Sequence, residues 1–196
     1  QRVVLPRVLT VADIARLIEK TTVEVEVFGF GSLCVMAEGR CLLSSFATGD
    51  SPNNRGVCSP AHAVRWQPRD GQMEARLNGL LIDRYAPDEP AAYPTLCKGR
   101  FMVEGRRDHA LEEPTSLNAL SLLPRLAAIG VRAIKIEGRQ RSPAYVAQVV
   151  ATLRAALDAA QAAPARYQPH PDWQHTLARH AEGSQTTQGA FDRPWK

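Results

Sequence analysis

The chain has 196 residues, 44% apolar and 22% charged, with a formal net charge of +4. That is enough chain for a domain with its own core, in ordinary globular proportions. No apolar run reaches the ~18–20 residues needed to span a bilayer, and "QRVVLPRVLT" (1–10) has no signal-peptide core. The expected compartment is therefore the cytoplasm, with reduced cysteines. Only four of the 24 basic residues are lysine. The arginines are scattered among acidic residues, which reads as a solvated surface. No dense basic groove interleaved with aromatics is seen, so no nucleic-acid partner is expected.

"RVVLP" (2–6) reads as a short buried strand ended by proline. "TVADIARLIEK" (10–20) reads as a helix with Thr10 as N-cap, Asp13 in the first turn, and Ile14, Leu17 and Ile18 on one face. "TVEVEVFGFG" (22–31) alternates Val23, Val25 and Val27 with Thr22, Glu24 and Glu26, the period of a strand. This order predicts a parallel βαβ unit. Residues 34–110 break the pattern. Turn-forming residues recur around the strand-like pieces "AVRWQ", "GLLIDRY" and "RFMVEG". The region reads as a loop-rich, mainly β insertion with little core of its own, the kind that needs a staple.

Regular α/β organisation then returns. "EEPTSLNALSLLPRLAAIG" (112–130) reads as a helix capped by Thr115 or Ser116, kinked or broken at Pro124 and stopped by Gly130. "VRAIKIEG" (131–138) reads as a strand. Residues 141–163 read as a long amphipathic helix with Ser142 at the N-cap and Pro143 at N1. Residues 164–196 read as a tail packed on the domain by Trp173, Phe191 and Trp195. The predicted organisation is 1–33, strand–helix–strand; 34–110, the insertion; 111–163, the last βα units; and 164–196, the tail.

The four cysteines, Cys34, Cys41, Cys58 and Cys97, all lie at the start of the insertion or within it. Four thiolates are what an iron–sulfur cluster or a structural zinc requires. Zinc usually shows a pair spaced by two to four residues, and no such pair is present. On spacing alone, a cluster, a zinc and four unrelated buried thiols all stay open. "FGFGS" (28–32) lacks the third glycine and the following helix of a phosphate loop. Its glycines read as room for a tight turn beside the cysteines, where amides could donate to sulfur. In "IKIEGRQRS" (134–142), Ile134 and Ile136 point to one strand face, and Lys135 and Glu137 to the other. On a parallel barrel, Lys135 and Glu137 would face the interior near the active-site end and would need each other or a ligand. A structural salt bridge is the alternative. His109, between a basic and an acidic pair, reads as a surface histidine.

"EVFGFGSLCVMAEGRCLLS" (26–44) resembles the signature of the collagenase-like peptidase family, and every fixed position of that signature is filled. "KIEGRQRSPAYV" (135–146) resembles its second block. The cysteine spacing, "SPNNRGVCSP", "YPTLCKGRF", "HALEEPTSLN" and "EGSQTTQGA" look most like one subgroup, the UbiU-like proteins of oxygen-independent ubiquinone biosynthesis. The resemblance covers essentially the whole chain. It implies the C-terminal part of a (β/α)8 TIM-like barrel, with the cysteine-bearing insertion. It implies a 4Fe-4S cluster on Cys34, Cys41, Cys58 and Cys97, and a hydroxylase subunit rather than a peptidase. The implied partners are a UbiV-like sister subunit, giving a heterodimer, and a lipid-carrier protein. The implied substrates are a ubiquinone precursor and prephenate as oxygen source. Glu137 and Lys135 are the candidate catalytic residues. A collagenase-like peptidase and an oxygen-independent RNA-base hydroxylase are the alternatives. Family members are longer, so the chain is expected to be a C-terminal portion, with an N-terminal strand that is unprotected or paired with another molecule.

Overall fold

The computed structural model describes residues 1–34, 36 and 41–193. In chain order its main elements are β1 (Arg2–Val4), α1 (Val11–Ile18), β2 (Glu24–Ser32), α2 (Leu42–Thr48), α3 (Pro52–Arg55), β3 (Val64–Arg69), β4 (Gln72–Leu77) and β5 (Leu80–Tyr85). Then come β6 (Arg100–Val103), β7 (Arg106–His109), β8 (Ser116–Asn118), α4 (Leu123–Ala128), β9 (Ala133–Ile136), α5 (Pro143–Ala162), α6 (Pro171–His180) and β10 (Thr186–Thr187). They form two compact units. One is Gln1–Cys34 with Pro114–Lys196, and the other is Val35–Glu113. No helix among the described residues is long and apolar enough to cross a membrane.

The first unit is a five-stranded sheet built on β2. β1 runs parallel to β2 with Arg2 opposite Glu24 and Val4 opposite Glu26, which is the βαβ step the sequence predicts. Thr10 and Asp13 form a reciprocal capping box at the start of α1. Farther along β2, Phe30 opposes Asn118 of β8 on one side and Ile136 of β9 on the other. β9 is parallel to β2, β8 is antiparallel, and β10 lies beyond β8. The sheet is therefore mixed and open, and the described residues do not form the closed TIM-like barrel expected from the resemblance. Closure needs about eight tilted strands joined edge to edge, and five are present here, two of them, β8 and β10, reversed. The short N-terminal strand β1 leaves Val3 and Val4 exposed.

Two apolar clusters cover this sheet. Val11 and Ile14 of α1 pack with Val25, Val27, Phe28, Leu126 and Phe191. Tyr145, Val149 and Leu153 of α5 and Leu177 of α6 pack with Phe30, Leu120 and Leu123. Ile134 touches both clusters and Ile136 the second, so the two isoleucines do take the helix-covered face. In the tail, Phe191 is buried and Trp173 is partly buried, while Trp195 lies outside the described residues. The tail also contains α6, which starts at Pro171 behind a His170 cap.

One predicted element is corrected. Residues 112–130 are not one helix. Ser116–Asn118 is strand β8, Leu120–Leu122 is a 3-10 turn, and only Leu123–Ala128 is α-helical. Ser116 and Leu117 are buried against β2, so tertiary pairing overrides their helical context. Pro124 sits in the first turn of α4, where its missing N–H costs nothing. Gly130 ends the segment at φ +96°, as predicted.

The second unit carries an antiparallel meander β3–β4–β5 and a hairpin β6–β7. Asp70-Gly71, Asn78-Gly79 and Glu104-Gly105 turn the chain with both residues at positive φ, the tight turn that matches strand twist. The sequence reading lacked β4, because "QMEARL" places charges where a strand core is looked for. Ala75 and Leu77 are fully buried on one face. On the other, buried Glu74 is held by Arg76 at 2.7 Å and Arg84 at 3.0 Å, so no charge is left unpaired. Arg76 beside Glu74 holds its carboxyl below the usual carboxylate range.

The cap of α5 gives a direct check on the first unit. Ser142 Oγ accepts from the Tyr145 N–H at 3.1 Å. Ser142→Ala should lower stability by about 1 kcal/mol in urea unfolding, and Ser142→Gly by less.

Candidate functional site

The most heavily bonded polar region of the first unit is the end of β2. β9 stops at Ile136, and the Glu137 N–H donates to the Phe30 carbonyl at 3.1 Å. The next donor on that edge of β2, the Ser32 N–H, has no strand opposite. It donates to Glu137 Oε2 at 2.8 Å instead. The Ser32 carbonyl accepts from Arg7, whose Nη1 also donates to Glu137 Oε1 at 2.9 Å. A carboxylate and a guanidinium thus complete the ladder where the neighbouring strand ends.

Ser32 Oγ extends the cluster by donating to Glu182 Oε2 at 2.7 Å. Arg141 donates to Glu182 Oε1 at 2.6 Å, and the Glu182 N–H donates to Ser116 Oγ at 2.9 Å. The Arg141 guanidinium lies 5.3 Å from the centre of the Tyr145 ring, and His180 meets that ring edge-on. Burial pushes the Tyr145 phenol above its ordinary value. Two carboxylates and the Arg7 guanidinium therefore converge on Ser32, and Arg141 braces Glu182 behind it.

Glu137 and Lys135 are both at this end of the sheet, as the sequence reading placed them, but they do not pair. The cation on Glu137 is Arg7, 130 positions earlier in the chain. The Lys135 ammonium lies 5.2 Å from the centre of the Phe28 ring, and Arg7 lies 4.2 Å from the same ring. The two glycines of "FGFGS" are also corrected. Both lie inside β2 rather than in a turn. A Cβ at Gly29 would come within 3.1 Å of Ile134, and one at Gly31 within 2.7 Å of Glu137. These glycines admit β9 and the Glu137 side chain.

Cys34, partly buried, follows Ser32 by two residues, at the end of the first unit. The other three cysteines belong to the second unit. Cys41 caps α2, its sulfur accepting from the Ser44 N–H at 3.3 Å. Cys97 lies in the 3-10 turn Leu96–Lys98, and α2 packs on that turn. Burial pushes the Cys97 thiol to about 11, with a smaller upward push from Cys58. Cys58 is exposed. None of the four is in a disulfide. Among the described residues, no three His, Cys, Asp or Glu side chains gather to hold one ion. A thiol donor set still fits an iron–sulfur group, whose ligands each bind a different iron. Partly buried Cys97, its thiol held up at about 11, gives up its proton when a cation binds it. His109 Nδ1 lies 3.1 Å from the Lys98 carbonyl oxygen, a backbone anchor. An open groove of about 470 Å³ on the meander, lined by Met73, Tyr85 and Glu89 among others, contains none of the candidate residues.

The geometry defines a mixed α/β unit with a polar strand end, joined in sequence to a cysteine-bearing β unit. The chain belongs to Peptidase family U32, whose profile matches residues 1–194. It is 29% identical over 187 residues to tRNA hydroxylation protein P1 of Bacillus subtilis, covering 95% of this chain and 38% of that protein. It is 32% identical over 181 residues to tRNA hydroxylation protein P of Escherichia coli, covering 82% and 39% respectively. It is also 30% identical over 158 residues to the E. coli 23S rRNA 5-hydroxycytidine C2501 synthase, covering 81% and 20%. The chain thus spans about two fifths of the first two relatives. No solved structure matches it.

Two outcomes follow from this geometry. Gly31→Ala should displace Glu137 and lower stability by about 1–3 kcal/mol in chemical unfolding, the usual cost of overpacking. At pH 8 and without metal, Cys97 should alkylate more slowly than Cys58, as read by peptide mass spectrometry. Because its thiol is held up at about 11, its labelling rate should climb about tenfold per pH unit below that value.

Proposed function

We propose that the chain is the cysteine-bearing part of a hydroxylase that works without molecular oxygen, with a 4Fe-4S cluster held by Cys34, Cys41, Cys58 and Cys97. The carrying observation is the state of the cysteines. None of the four is in a disulfide, and burial holds the Cys97 thiol up at about 11, in a unit otherwise short of core. The names of the relatives add support for hydroxylation. When bound, such a cluster supplies one-electron chemistry and a fixed anchor for the loops that carry its ligands. The chain's own contribution is to present thiols at defined positions and to hold the strand end before Cys34. Glu137 and Lys135 are the polar groups proposed to face substrate at that end.

The substrate we infer is a ubiquinone precursor, with prephenate as oxygen donor and a UbiV-like sister subunit and a lipid-carrier protein as partners. The support is the UbiU-like cysteine spacing and the accompanying motifs. An RNA base is the second reading, favoured by the printed names of the RNA-modifying relatives. Peptide hydrolysis has a relative named collagenase from Porphyromonas gingivalis at 26% identity. Among the described residues, however, no histidine is hydrogen-bonded to a serine or cysteine as a nucleophile–base pair would require.

Anaerobic purification with iron and sulfide assay tests the proposal. About four irons and four sulfides per chain are expected, with loss of the visible spectrum in Cys34→Ala. Stoichiometric zinc without sulfide would sink it. Anaerobic incubation with the sister subunit, prephenate, and either precursor or total tRNA then separates the substrates. One added oxygen on the precursor is expected, and one on tRNA alone would select the second reading.

A further inference from the structure

We propose that Ser32, Glu137 and Arg7 form a positioning lattice for Cys34, with Glu182 and Arg141 as its outer brace. The inference rests on the cluster reading above. Three bonds meet on the Ser32 residue: its N–H on Glu137, its carbonyl on Arg7, and its hydroxyl on Glu182. Glu137 and Arg7 are themselves paired at 2.9 Å, so the backbone on both sides of the Ser32 Cα is locked by one closed ring of charge-assisted bonds. The Leu33 N–H donates to the Thr115 carbonyl at 3.1 Å, so the fixed path continues to the residue before Cys34. The ring draws on segments far apart in sequence: the loop after β1, the end of β2, the segment after β9 and the turn after α6. At the end of β2 the edge toward β8 is still paired, and on the edge where β9 has stopped the ring supplies the bonds.

The bonds named here end on the Ser32 backbone and hydroxyl, so through them the members act on Cys34 by way of the backbone and are positioning residues. A ligand delivered from a fixed strand end loses less conformational freedom on binding than one on a free loop. It also holds its sulfur in one orientation toward the bound group. Loss of such supporting contacts commonly weakens metal binding about 10–100-fold.

The test compares wild type, Ser32→Ala, Ser32→Thr and Glu137→Gln, reconstituted anaerobically. The readouts are the rate of iron loss to a chelator and the electron paramagnetic resonance of the reduced cluster. Arg2→Ala, which removes an exposed pair with Glu24 at the far end of β2, is the control. Ser32→Ala and Glu137→Gln should lose iron about 10–100-fold faster with shifted resonance, while Ser32→Thr, which keeps the hydroxyl, and Arg2→Ala stay near wild type. Should Glu137→Gln fail to fold, Arg7→Gln, which removes the cation from the same ring, carries the comparison. Wild-type rates and spectra in the ring variant that folds would overturn the lattice and leave the cluster reading intact. A wild-type protein that takes up no cluster would remove both.

Discussion

An amide at the end of a strand still needs an acceptor when the neighbouring strand has run out. Leaving a buried N–H unpaired costs about 1–3 kcal/mol. In this chain the acceptor for Ser32 is the Glu137 carboxylate, and the choice propagates. A partly buried carboxylate needs a cation, and Arg7 supplies it. Arg7 in turn satisfies the Ser32 carbonyl and lies against Phe28. The carboxylate also needs space, which only a glycine at position 31 leaves. One missing strand residue thus dictates a glycine, an acid and an arginine spread along the chain.

The second unit solves a similar difficulty with different means. Its core is small, centred on Leu77, Ile82 and Val64. It adds buried carboxylates whose charge is met by arginine: Glu74 by Arg76 and Arg84, and Asp83 by Arg100 at 2.7 Å. Arg100 also binds Glu89 and lies over Tyr85. Such pairs impose register more than they add stability. A small core with charged braces leaves room for an additional constraint, and three of the four cysteines are in this unit.

Elements with strong local signals were legible. Thr10 and Asp13 announced α1, the valine alternation announced β2, and Ser142-Pro143 announced α5. Elements decided by distant partners were not. β8 is three residues long and owes its state to β2 and β10, and the stretch around it has helical composition. β4 hides its face because Glu74 is buried with arginines from two positions. At the candidate site, Lys135 and Glu137 were legible as a pair on the strand face opposite Ile134 and Ile136, at the end of β9. The partner of Glu137 was not, since no local pattern links it to Arg7. The glycines of "FGFGS" were visible, but their reason lies in the strand beside them. The cysteines were visible as a set, and the partial burial of Cys97 is a product of the fold.

The central claim is that these cysteines hold a 4Fe-4S cluster in a family whose named relatives include RNA hydroxylation proteins. Mössbauer spectroscopy of protein reconstituted with iron-57 tests it most directly, because it reports the ligation and coupling of every iron. The account predicts that essentially all iron appears as one cubane cluster with thiolate-coordinated sites. A spectrum dominated by mononuclear or adventitious iron, under anaerobic conditions with sulfide present, would contradict it.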